Sequence, residues 1–125
     1  MDEIEIGDHF TMMIKNGITH ISVKPDTTVE LEMVQKVVQH QREIQKGSPY
    51  LVLLDVSKAY GVTREAREYT SSEAVEGLQI AMAMLTQSLP IRLLANFFIK
   101  FDNPPAPTKM FNDYDLAISW LESYR

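Results

Sequence analysis

The alternation of apolar and polar positions first becomes regular over residues 10–23, "FTMMIKNGITHISV". Two apolar-rich runs flank Asn16-Gly17, a dipeptide that accepts the positive φ angles of a type I′ hairpin turn. The pattern predicts antiparallel strands over about 9–15 and 18–24, with "IEI" at 4–6 extending the first. Ile18, His20 and Ser22 fall on one face of the second run, and Thr19, Ile21 and Val23 on the other. Pro25-Asp26 ends this hairpin, and Asp26, Thr27 and Thr28 offer caps for a following helix. Between 29 and 46 the spacing becomes helical, with Val34, Val37, Val38, Gln41 and Ile44 as a core-facing stripe. Gly47 is placed to end that helix in the left-handed conformation.

"YLVLLDVS" at 50–57 is almost unbroken apolar sequence ending near Asp55, the pattern of a central strand covered on both faces. A second helical region is predicted over 63–87, broken near 70–72, where Thr70 and Glu73 match a capping box. Its buried stripe would be Ala74, Leu78, Ala81, Met82 and Leu85. Ile80 and Met84 lie off that stripe, and exposed apolar positions on one helix face point to a homodimer contact. "RLLANFFIKF" at 92–101 is read as another interior strand, the neighbour of 50–57 in one sheet. "DYDLAISWLESYR" closes the chain as an amphipathic helix capped by Asn112 or Asp113, with Leu116, Ala117, Trp120, Leu121 and Tyr124 on one face.

Between 92–101 and that helix stand Pro104, Pro105 and Pro107. They could serve as a docking peptide for an aromatic groove. The stronger reading is a rigid connector, since prolines cannot donate to a ladder and Phe111 returns apolar sequence directly afterwards. The expected order is β-β-α-β-α-β-(β)-α, an α/β fold with a mixed sheet and an N-terminal hairpin at one edge. One domain over 1–125 is expected, with no internal repeat or shift of composition.

Composition narrows the function. Apolar residues make up 45% and charged residues 23%, as in a globular protein. A net charge of −5 disfavours nucleic acid as a partner. No apolar run approaches the roughly 20 residues that span a bilayer, and the acidic start is unlike a secretory signal, so a cytoplasmic protein without membrane insertion is expected. Without cysteine there is no thiolate chemistry. His9, His20 and His40 lack metal-ligand spacing, so no metal or cofactor is expected. A His20, Asp55 and Ser57 grouping is within chance for such common residues, and no catalytic residue is assigned.

Two segments carry a family resemblance: "LLDVSKAYGVTREAREYTSSEA" at 53–74 and "NPPAPTKMFNDYDLAISWL" at 103–121. Together they resemble the SpoIIAA-like (STAS/SEC14-like) family of small bacterial proteins. The resemblance implies a STAS-like fold and a regulatory, protein-binding role rather than an enzymatic one. Better-studied relatives are switched by phosphorylation of a serine at the start of the helix after the central strand, in an Asp-Ser-Ser-Gly-like pattern. This chain reads Asp55-Val56-Ser57-Lys58-Ala59, so the Ser-Gly pair is missing and the loop is longer. The SEC14-type relatives imply instead a cavity for a small apolar or anionic ligand. Open α/β sheets bind ligands beyond the carboxyl ends of their strands. Any ligand or phospho-switch site is therefore expected around Asp55, Ser57, Tyr60, Thr63, Arg64 and Arg67.

Overall fold

The computed structural model describes residues 2–125, Phe101 by its backbone alone. Strands β1 (Ile4–Ile6), β2 (Phe10–Lys15), β3 (Ile18–Val23), β5 (Tyr50–Asp55), β7 (Gln79–Leu85) and β8 (Thr108–Phe111) form one sheet in the order β1-β2-β3-β5-β7-β8. The first three pair antiparallel and the others parallel, so the sheet is mixed with its hairpin at one edge. Strands β4 (Thr27–Val29) and β6 (Ala59–Val62) make a small parallel pair of their own. The helices are α1 (Leu31–Ile44), α2 (Arg64–Thr70), α3 (Leu89–Phe101) and α4 (Tyr114–Glu122). Among the described residues no helix is long and apolar enough to cross a membrane.

The turn between β2 and β3 forms as the dipeptide dictates, Asn16 and Gly17 both adopting positive φ (54° and 74°). "IEI" does not lengthen β2. It folds back through Gly7 as β1, with Ile4 opposite Met12. β5 sits between β3 and β7, and its Leu51, Val52 and Leu53 are buried on alternate faces. Burying each such side chain is worth about 1.5–3 kcal/mol.

Two assignments from sequence are exchanged. Residues 79–85 are not the end of a helix but the strand β7, and 92–101 is not a strand but most of α3. "QIAMAML" alternates small Ala81 and Ala83 on one face with Met82 and Met84 on the other. Because both faces meet apolar layers, no polar residue marks the period of two. In α3 the Ser88 hydroxyl accepts from Ile91 N–H and Pro90 lies in the first turn, two helix-starting signals. The strand beside β5 is therefore β7, and Ile80, still exposed, projects from a strand rather than a helix. Met84 instead packs against the core.

The break near 70–72 does occur, but Ser72 rather than Thr70 caps the next element, a 3-10 turn over Glu73–Val75. Thr27 and Thr28 lie in β4 rather than capping α1, whose N-cap residue Glu30 makes no side-chain cap bond. Asp113 caps α4 by accepting from Leu116 N–H at 3.1 Å. Ala117 and Leu121 of that helix are buried, whereas Leu116 faces water. The prolines form the connector from α3 to β8, holding Thr108–Phe111 against β7.

Helix α4 covers one face of the sheet, against Ile18, Leu51, Leu53, Ala81, Ala83 and Leu85. The opposite face meets α1 and α3. A buried amide ties the end of α1 to the strands: Gln45 accepts from the Thr19 hydroxyl at 2.7 Å and donates to the Leu78 carbonyl at 2.8 Å.

Candidate functional site

The predicted site residues do not form one cluster. Asp55 and Ser57 hold the turn that leaves β5. The Ser57 N–H donates to Asp55 Oδ1 at 2.9 Å, and the Ser57 hydroxyl reaches the Leu85 carbonyl at 3.5 Å. Both side chains therefore have a local structural task at the carboxyl ends of two central strands. Ser57 is not at a helix start, because β6 intervenes before α2. The hydroxyl at that helix start belongs to Thr63, which accepts from Ala66 N–H at 3.2 Å. Tyr60 projects from β6 into solvent.

The two arginines of α2 part ways. Arg64 points to water and pairs with Glu68 at 2.7 Å, one helical turn on, which holds its guanidinium above the usual range. Arg67 turns inward. Its Nε lies 2.7 Å from Asp102 Oδ2, with side chains only 22% and 19% exposed, and its guanidinium carbon is 5.9 Å from the centre of the Phe97 ring. The contacting Nε and Oδ2 are buried yet not aligned as a hydrogen bond, so the pair is held by charge rather than by an N–H aimed at oxygen.

His20, the histidine of the imagined catalytic grouping, is engaged elsewhere. Its Nδ1 meets the Ile18 carbonyl at 3.0 Å, and its Nε2 meets the Tyr114 hydroxyl at 3.0 Å. A carbonyl can only accept, so Nδ1 carries the proton and Nε2 accepts from the tyrosine. Burial pushes the ring's pKa down and favours this neutral form. At the β1 edge of the sheet, Glu5 of the acidic start pairs with Lys24 at 2.7 Å, which lowers its pKa.

Arg67 borders a partly open cavity of about 160 Å³ between the sheet and α1, α2 and α3. Val34, Val37 and Val38 of α1, Met82 and Met84 of β7, and Leu94 of α3 are among its walls. Enclosed apolar cavities of similar volume take up molecules such as benzene. The polar groups at its edge are mostly occupied. Thr70 donates to the Arg67 carbonyl at 2.7 Å, Thr108 to the Ala106 carbonyl at 2.9 Å, and the Gln41 amide to Gln45 at 3.0 Å. Of the predicted residues, Arg67 alone lines this space. The wall contributed by Ile91, Leu94, Ala95 and Phe98 is hidden when 92–101 is read as a strand. The spacing of Leu94 and Phe98, one helical turn apart behind Ser88 and Pro90, is the signal that exposes it.

Solved structures share this fold at low sequence identity. An uncharacterised DUF3478-family protein from Shewanella loihica with a SpoIIAA-like fold superposes with a TM-score of 0.63 at 15% identity, over 90% of this chain and 91% of that one. An anti-sigma factor antagonist from Mycobacterium paratuberculosis gives 0.62 at 10% identity, over 90% and 92%. The anti-sigma factor antagonist SpoIIAA in its unphosphorylated form gives 0.56 at 15% identity, over 90% and 97%. The fold is thus SpoIIAA-like, as the two sequence segments implied. No curated protein matches the sequence. The family model described as "Domain of unknown function (DUF7793)" matches residues 12–125, and the chain belongs to that family.

Proposed function

We propose that this chain is a non-enzymatic regulatory module of the STAS type, a cytoplasmic protein that works by binding other proteins. The outer stripe of α3 carries this reading. Leu89, Leu93 and Phe97, each one helical turn from the next, are 55%, 61% and 49% exposed. Contiguous exposed apolar side chains suit a protein contact. Two similar structures are anti-sigma factor antagonists, which supports a partner-binding role on this scaffold. The occupied state of Asp55 and Ser57 supports a role without turnover. Crosslinking in native lysate, comparing wild type with Leu93→Glu, tests the reading. A specific partner, or a second copy of the chain, captured by wild type and lost in the variant is expected. Recovery of nothing but uncrosslinked chain contradicts it, as does an esterase or phosphatase activity abolished by Asp55→Asn or Ser57→Ala.

A second reading, a carrier or sensor of a small ligand, is favoured by one observation. The fold leaves an apolar space of about 160 Å³ under α3.

A further inference from the structure

We infer that the cavity takes a small apolar carboxylate, its hydrocarbon body among the valines and methionines and its charged end on Arg67. The inference rests on the ligand-binding reading and specifies the chemistry of what binds. Among the described residues that line the space, Arg67 is the one charged side chain, and no acidic residue accompanies it there. The hydroxyls of Thr70 and Thr108 are already given to backbone carbonyls, and the Gln41 amide to Gln45. Apart from the Gln79 amide, whose Oε1 lies 3.5 Å from Gln41 Nε2, a neutral polar ligand would therefore find few groups to satisfy it, whereas an anion would find a guanidinium. A guanidinium presents a planar fork of donors that a carboxylate meets with two parallel hydrogen bonds.

The setting of Arg67 prepares it for that role. Its Nε faces Asp102 in a charge contact without an aligned hydrogen bond, and the Phe97 ring lies beside the guanidinium. Asp102 contacts Nε, so a second carboxylate would be met by the terminal nitrogens of the fork. Size sets the rest of the ligand. A space of about 160 Å³ suits a body of roughly six to ten non-hydrogen atoms, since cavities of this volume take up a benzene ring. A short straight-chain acid and an aromatic acid share this chemistry.

The test is a calorimetric titration of the full chain with hexanoate, benzoate and hexan-1-ol at neutral pH. The wild type is compared with Arg67→Gln, Asp102→Asn and Ala95→Leu. At least one of the two acids is expected to bind about tenfold or more tighter than the alcohol, the usual weight of a hydrogen bond to a charged group. Which acid binds tighter distinguishes a chain-shaped from a ring-shaped site. Arg67→Gln should reduce the acid to the level of the alcohol and leave the alcohol unchanged, so a variant that still binds alcohol is shown to be folded. Asp102→Asn removes the rival anion and should strengthen acid binding or leave it intact. Ala95→Leu, which fills part of the space, should weaken every probe. Equal binding of acid and alcohol, insensitive to Arg67, overturns the carboxylate assignment while leaving the carrier reading in place. Binding of no probe by the wild type overturns both.

Discussion

The two faces of the central sheet are built from the same strands yet packed differently. Toward α4, Ala81, Ala83 and Leu85 of β7 meet Ala117 and Leu121, and the cluster extends to Phe111, Ile118 and Trp120. Ala81, Ala83 and Ala117 let strand and helix approach closely, and Leu85, Leu121 and the neighbouring Phe111, Ile118 and Trp120 fill the remaining space. Toward α1 and α3, β7 presents Met82 and Met84 instead, and the layer leaves a cavity of about 160 Å³. Interiors of folded proteins are ordinarily close-packed, so the unfilled side is the unusual one. On the proposed reading, the α4 face is scaffold and the α3 face is where binding occurs.

Substitutions on opposite faces can break or sharpen that assignment. The largest effect is expected from Leu121→Ala on the tight face, where a fully buried leucine lacks room to be replaced by relaxation. It should lower unfolding free energy by about 3 kcal/mol in chemical denaturation, within the range for buried Leu→Ala. Next comes a matched pair. Ala83→Leu overpacks the α4 face and should cost about 1–3 kcal/mol. Ala95→Leu adds the same atoms beside the cavity and should change stability by less than about 1 kcal/mol, since the lost space was empty. Equal costs for the two would erase the distinction between the faces. Asp113→Ala removes the cap of α4 and should cost about 1 kcal/mol by the same denaturation measurement.

The smallest effect belongs to pH. Burial lowers the His20 pKa in the folded chain, so the unfolded chain binds the proton first as pH falls. Stability contributed by neutral His20 is then present above the unfolded value of about 6.5 and declines below it. His20→Gln should flatten that part of the stability profile, and an unchanged slope would deny the shift.

How far the sequence foretells this arrangement depends on particular residues. Asn16-Gly17, the unbroken "YLVLLD" of β5 and the Val34, Val37, Val38 stripe of α1 are legible because each carries a local period or turn requirement that its surroundings do not alter. Residues 79–101 mislead because both segments are apolar on nearly every side. Ala81 and Met82 look like helical neighbours of Leu78 and Leu85, when alternation of Ala81 and Ala83 with Met82 and Met84 is the true period. Strands β4 and β6 are three and four residues long and exist through pairing with each other, which no local pattern announces. Arg67 is among the expected site residues, but its turn away from Arg64 toward Asp102 depends on where α3 lies. The cavity itself depends on packing between the sheet and three helices, and beyond the Leu94 and Phe98 spacing of its α3 wall no local pattern announces it.

The most direct test of the division between the faces is amide chemical-shift mapping by NMR while hexanoate is titrated into the full chain. Shifts should gather at Arg67 and Thr70 of α2, Leu94 and Phe98 of α3, and Met82 of β7, with Ala117 and Leu121 of α4 undisturbed. Shifts centred on α4, or none anywhere along the chain, would contradict the account.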